Sequence, residues 1–319
     1  MNDSLRTALA VLFGAAAGAG ALAAFRHWSE SKKVPVSTPQ LQAGQPEEWQ
    51  RFSNRVPGFV EEIPNLYSLA RAVFERGMPP TKDDLVIEGL GLLVWEDFEE
   101  IVTLAASGHG FGALKLLRGM FERIATVSYL QKHTDEIEAF CAYEPVRSFK
   151  IVSDARESFG AGAVGEDFYN EQKQARDKVR DRFMQDCCDS SGCDKKRVMI
   201  SWSKKSILDI AKGADINLRQ QAFMLYYFGM LEAHPTFTSI TSRMTETPTG
   251  FTFLGRDQKA RDQADHTVAL AHSLVLFNFG IQIDHFKGLA GVQPEVDRAK
   301  QRLLQIWEKG TSQDEHCAS

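Results

Sequence analysis

The sequence predicts an all-α protein: a multi-helix bundle with a single transmembrane helix at its N-terminus. Three observations predict it. Apolar residues recur at helical spacing through most of the 319-residue chain. No segment alternates with period two for long enough to make a convincing strand; Phe251 to Leu254 comes nearest and is short. An uncharged run, Thr7 to Phe25, lies near the start.

That run, TALAVLFGAAAGAGALAAF, is bounded by Arg6 and Arg26. At about 1.5 Å per residue it just spans a hydrocarbon core of roughly 30 Å. A cleaved signal peptide and a buried soluble helix compete with this reading. Ala21-Leu22-Ala23 would suit cleavage, but the start is weakly basic, with Asp3 set against Arg6. A soluble helix should show a polar face, and none is present. An anchor fits best. Arg26, Lys32 and Lys33 follow the span, which places the C-terminal domain in the cytoplasm, and Trp28 suits the interface. Gly14 and Gly18 form a G-x-x-x-G pair, a candidate face for homo-oligomers, although an Ala- and Gly-rich run produces that spacing by chance.

Four segments follow: an anchor over 1–27, a polar linker over 28–47 with Pro35, Pro39 and Pro46, a helical domain over 48–310, and a flexible tail over 311–319. The strongest helical signal runs from Thr81 to Lys132. Asp83 and Asp84 favour its start, and Ser107-Gly108-His109-Gly110 interrupt it, which predicts an antiparallel helical hairpin. Leu66 to Arg76 reads as a short helix, with Pro57 and Pro64 breaking the stretch before it. Further helices are expected at Asp135–Arg156, Glu166–Asp186, Ser206–Lys212, Leu218–Ala233, Asp257–Lys287 and Glu295–Glu308.

Composition narrows the function. The charge of -5 argues against bulk electrostatic binding of nucleic acid, which wants a basic face. Five cysteines, an odd number without a disulfide framework, suit a reducing compartment. Cys187, Cys188 and Cys193 lack the spacing of a structural zinc site, no paired E-x-x-H motif suggests di-iron, and no cofactor or metal is expected. There is no G-x-x-x-x-G-K-[ST], G-x-G-x-x-G or G-x-S-x-G.

Two separated segments, GFGALKLLRGMFERIATVSYL from Gly110 and LYYFGMLEAHPTFTSITSRM from Leu225, carry a resemblance. Arg118, Glu122, Tyr129, Leu130, Tyr226, Glu232 and His234 resemble the pattern of the bacterial domain-of-unknown-function family 5677, over roughly residues 86–243. The resemblance implies a helical domain and no particular activity.

Arg118 and Glu122 share a helix face near the apolar residues Leu114, Leu117 and Phe121. They read either as a helix-locking ion pair or as a pocket in which Arg118 binds an anion and Glu122 orients it or acts as a base. His234 reads as a helix-terminal residue or as an acid–base partner in the same site, with Tyr226 or Tyr227 as lining. The expected function is therefore a membrane-held module that takes an unidentified protein partner or a small anion. The alternative rests on Arg261 and His266, which resemble the R-x-x-x-x-H motif of HEPN-type ribonucleases. Five residues set them about 140° apart on a helix, and Asp257, Asp262 and Asp265 oppose an RNA backbone.

Overall fold

The computed structural model describes residues 46–75, 77, 81–186, 196–247, 250–253 and 258–314. These fall into two compact units. The larger lies within Ala43–Ile137 and Lys205–Ser319; the smaller spans Glu138–Lys204.

The larger unit opens with α1 (Pro46–Arg55) and α2 (Pro57–Phe74). Pro57 sits in the first turn of α2, where its missing N–H costs nothing. Pro64 does not break the helix as expected. It is exposed, so the carbonyl that loses its donor can be hydrated. The expected hairpin follows as α3 (Lys82–Ala106) and α4 (Gly110–Lys132). The Thr81 side chain caps α3 by accepting from the Asp84 amide at 3.1 Å. At the other end Gly108, at φ 77°, closes the helix. Its amide donates to Ala105 O at 2.9 Å and that of His109 to Leu104 O at 2.8 Å, the paired bonds of a Schellman turn.

After the smaller unit the chain returns with α8 (Ile207–Ala214), started by a capping box between Ser206 and Asp209. Next come α9 (Ile216–Ala222), a π-helical turn (Phe223–Tyr227), α10 (Phe228–Ala233) and α11 (Phe237–Thr241). Strands β3 (Met244–Thr247) and β4 (Gly250–Phe253) pair antiparallel, Met244 opposite Phe253. The long α12 (Gln258–His285) and α13 (Gln293–Asp314) complete the unit.

Helices α3 and α12 form the central seam. Asp84 pairs with His285 at 2.8 Å, Gln282 donates to Ile87 O at 3.0 Å, and Asn278 to Gly91 O at 2.9 Å. Each step of three or four residues along α3 is matched by the same step back along α12. The same register sets Val94 opposite Val275, Phe98 opposite Ala271, Ile101 opposite Val268 and Ala105 opposite Ala264. All eight are buried. This is an antiparallel seam with 3-4 spacing.

In the smaller unit α5 (Ile137–Ala142), α6 (Glu144–Phe159) and α7 (Glu166–Val179) precede a hairpin, β1 (Met184–Asp186) with β2 (Lys196–Val198). Its core is small: Val146, Phe183 and Met199, flanked by Ala142, Tyr143, Val179 and Val198. Tyr143 ties the hairpin down by donating to Met199 O at 2.8 Å.

Two expectations are corrected. The bundle is all-helical apart from two short hairpins. Helix α7 ends at Val179 rather than continuing to Asp186, and Phe251 belongs to β4. More importantly, the membrane-length helix found among the described residues is not N-terminal. Among the described residues the one helix long and apolar enough to cross a membrane, by length and composition, is Lys259–His285. Its apolar character has a packing cause: 67% of its apolar window is buried inside the protein, against α3 and its neighbours. The expected span over 7–25, its flanking charges and the Gly14–Gly18 face lie outside the described residues.

Candidate functional site

Arg118 lies in the middle of α4, one turn from the buried Leu114 and Phe121. Its Nε donates to Glu122 Oε1 at 3.0 Å. Its Nη1 lies 3.4 Å from His234 Nε2, and the guanidinium sits 5.1 Å from the centre of the Tyr226 ring. The structure thus brings together Arg118, Glu122, Tyr226 and His234, drawn from two segments more than a hundred residues apart. Because arginine only donates, His234 Nε2 can only be the acceptor in this contact. Among the described residues no partner engages Arg118 Nη2.

Local structure explains the convergence. The π turn Phe223–Tyr227 brings Tyr226 toward α4, where it packs on Phe121 at 6.1 Å. Gly229 then lies directly on α4. A Cβ there would come within 2.8 Å of both Arg118 Cβ and Leu114 O, so only glycine permits this approach. One turn on, α10 ends and His234 leaves the helix in extended conformation beside Arg118. The side chains of Arg118 and Glu122 are 26% and 41% exposed, and His234 is exposed, so the cluster faces solvent.

Glu232, part of the same motif, is not in the cluster. It is buried, pairs with Arg243 at 2.7 Å and accepts from the Ser242 hydroxyl at 3.1 Å. Arg243 in turn lies over the Phe111 ring at 4.3 Å. Sequence reasoning did not single out Arg243, whose role depends on that distant ring. Tyr129 belongs to another polar group. Its hydroxyl donates to Glu136 at 2.5 Å, and Lys205 reaches both Tyr129 and Glu136. Burial, with the Glu136 hydrogen bond behind it, raises the Tyr129 hydroxyl above its usual range.

Arg261 and His266 do not build a site of their own. Arg261 donates to the buried Glu48 at 3.1 and 3.3 Å, and Glu48 is held below the usual carboxylate range by that bond. Asp265 accepts both arms of Arg55 at 2.8 and 2.9 Å. His266 is exposed. The segment that resembled a nuclease motif ties α1 to α12. Among the described residues no group of three or more His, Cys, Asp or Glu side chains could hold a metal ion; Cys187, Cys188 and Cys193 lie outside them.

No curated protein and no solved structure matches the chain. A family match covers residues 94–251, which include both helical motifs, all four clustered side chains and the described part of the smaller unit. That region of the chain matches the family of unknown function DUF5677.

Proposed function

We propose that the domain is a binding module whose recognition point is Arg118, and that it takes a small oxyanion, a carboxylate or a phosphate-like group. One observation carries the reading: a guanidinium fixed by three neighbours with one arm, Nη2, left over. Such a planar donor suits an oxyanion. Glu122 competes with the ligand for Arg118, and His234 helps to hold the guanidinium in place.

Sulfate, a small oxyanion, tests this. It should perturb the His234 ring signals in NMR spectra of the full chain. Arg118→Gln should abolish the response, and Glu122→Gln should strengthen it several-fold. A response that survives Arg118→Gln unchanged sinks the reading.

A further inference from the structure

Helix α3 has two opposite faces. The seam residues Ile87, Gly91, Val94, Phe98 and Ile101 point into the bundle and are buried. On the far side Leu85, Gly89, Leu92, Glu96, Glu99 and Thr103 fall within an arc of roughly 80° at 100° per residue. Leu85 and Leu92 are 53% and 41% exposed, and nothing lies within 4 Å of a Cβ built at Gly89. An exposed leucine alone needs no explanation. Two of them on one stripe, with an open glycine between, form a continuous apolar track.

The track leads into a groove of about 560 Å³ where α1, α2 and α3 meet. Its lining includes Ile63, Val102, Phe98 and two half-exposed aromatic rings, Trp49 at 43% and Tyr67 at 41%. Its polar members include Glu99, which engages the Tyr67 hydroxyl. The track is acidic on both sides: by helical phase Glu88 flanks it on one edge and Glu100 on the other, with Glu96 between. Across all of α3, seven residues are acidic and one, Lys82, is basic.

We infer that this face docks a basic amphipathic helix of a partner protein. Charge complementarity selects that occupant. Leucine-type side chains at i, i+3/i+4 and i+7 would lie along Leu85 and Leu92, and one bulky residue would fill the groove beside Trp49 and Tyr67. Flanking lysines or arginines would meet Glu96 and Glu100. A second copy presenting the same face would set glutamate against glutamate. An anionic lipid surface would be repelled.

The test uses the full chain and two fluorescent 18-residue peptides of one leucine pattern, one with lysine flanks and one with glutamate flanks. The lysine peptide should bind, with affinity falling as salt rises, and the glutamate peptide should not. Leu92→Lys with Glu96→Lys should weaken the lysine peptide at least tenfold. Glu171→Lys, an exposed charge reversal in the smaller unit, should change it less than twofold. Both variants change exposed residues, and circular dichroism checks that they remain helical. Equal binding of the two peptides overturns the inference, and so does binding that Leu92→Lys/Glu96→Lys leaves intact. Leu92-dependent dimerisation, or Leu92-dependent binding to vesicles containing phosphatidylserine, would overturn it in favour of another occupant.

Discussion

The two ends of the α3–α12 seam share one spacing and use different chemistry. From Val94 and Val275 to Ala105 and Ala264 the facing positions are apolar and buried. From Gly91 and Asn278 to Asp84 and His285 they are polar: two amides reach carbonyls of α3, and a histidine–aspartate hydrogen bond ends the row. The apolar end removes surface from water and supplies stability. The polar end does less of that. Asn278 and Gln282 are fully buried, yet Asn278 Oδ1 and Gln282 Oε1 find no partner among the described residues. Each such oxygen carries a desolvation cost. What the amides contribute is position: a slip along the seam would strand both N–H groups, so they fix the register. Gly91 makes this work, since a Cβ there would stand 2.2 Å from Gln282 Nε2.

The sharpest way to break the apolar end is a cavity. Phe98 is 2% exposed and packs against Phe59 and Trp95. Phe98→Ala should cost about 3–5 kcal/mol, read as a lowered denaturation midpoint with an unchanged slope.

The same half of α12 carries one buried imidazole off the seam. His272 is fully buried, lies 5.3 Å from Phe59, and accepts from Trp307 Nε1 at 3.3 Å. Burial, aided by Arg302, pushes its pKa from 6.5 down to about 3. The unfolded chain therefore binds a proton that the folded one refuses, and stability falls as pH drops from about 6.5 toward 3. At about 1.4 kcal/mol per unit the loss is on the order of 5 kcal/mol across the window. His272→Phe should flatten this acid slope in urea unfolding followed between pH 7 and 4. If the slope is unchanged, the loss comes from other groups.

The seam shows what was legible in the sequence. The helices were, because Val94, Phe98, Ile101 and Ala105 recur at helical spacing. Which face is buried was not, because Leu85 and Leu92 give α3 a second apolar stripe and periodicity cannot tell a core from a docking track. Gly91 reads as a weak point in a helix, and only the α12 amides give it a use. In the site, Arg118 and Glu122 were legible as neighbours one turn apart, and the family resemblance brought in Tyr226 and His234. The π turn and Gly229, which bring those residues to Arg118, leave no trace in spacing. The nuclease reading gains no support, for a related reason. The partners that occupy this stretch, Glu48 on Arg261 and Arg55 on Asp265, lie more than two hundred residues away in sequence. The expected membrane helix rested on apolar length, a test that the buried α12 also passes.

At the polar end, replacing an amide should cost less than opening a cavity. Asn278→Leu removes a hydrogen bond to Gly91 O and also an unpartnered oxygen, at similar volume. Gly91 O keeps its own helix bond. The expected change is within about 1.5 kcal/mol in either direction, well short of Phe98→Ala. The register role predicts a different signature: faster amide hydrogen exchange along α3 and α12 with little loss of global stability. A loss as large as that of Phe98→Ala would mean that the polar end carries stability after all.

The smallest expected effect tests the last rung. The Thr81 hydroxyl, with His285 behind it, holds the Asp84 carboxyl below the usual carboxylate range. A depressed carboxylate stabilises the fold above its unfolded pKa, near 3.8, and that contribution is lost as pH falls through the lower folded value. Asp84 is partly exposed, so solvent screens the pair, and Asp84→Asn should cost only about 0.5–1 kcal/mol at pH 6. Once pH falls below the lowered folded value, the wild-type side chain also becomes neutral, so the two proteins should converge at the acid end. Convergence assigns the effect to the charge on Asp84. A difference that persists at the acid end of the titration assigns it instead to the altered cap on Thr81, at the point where α3 begins and its two faces first diverge.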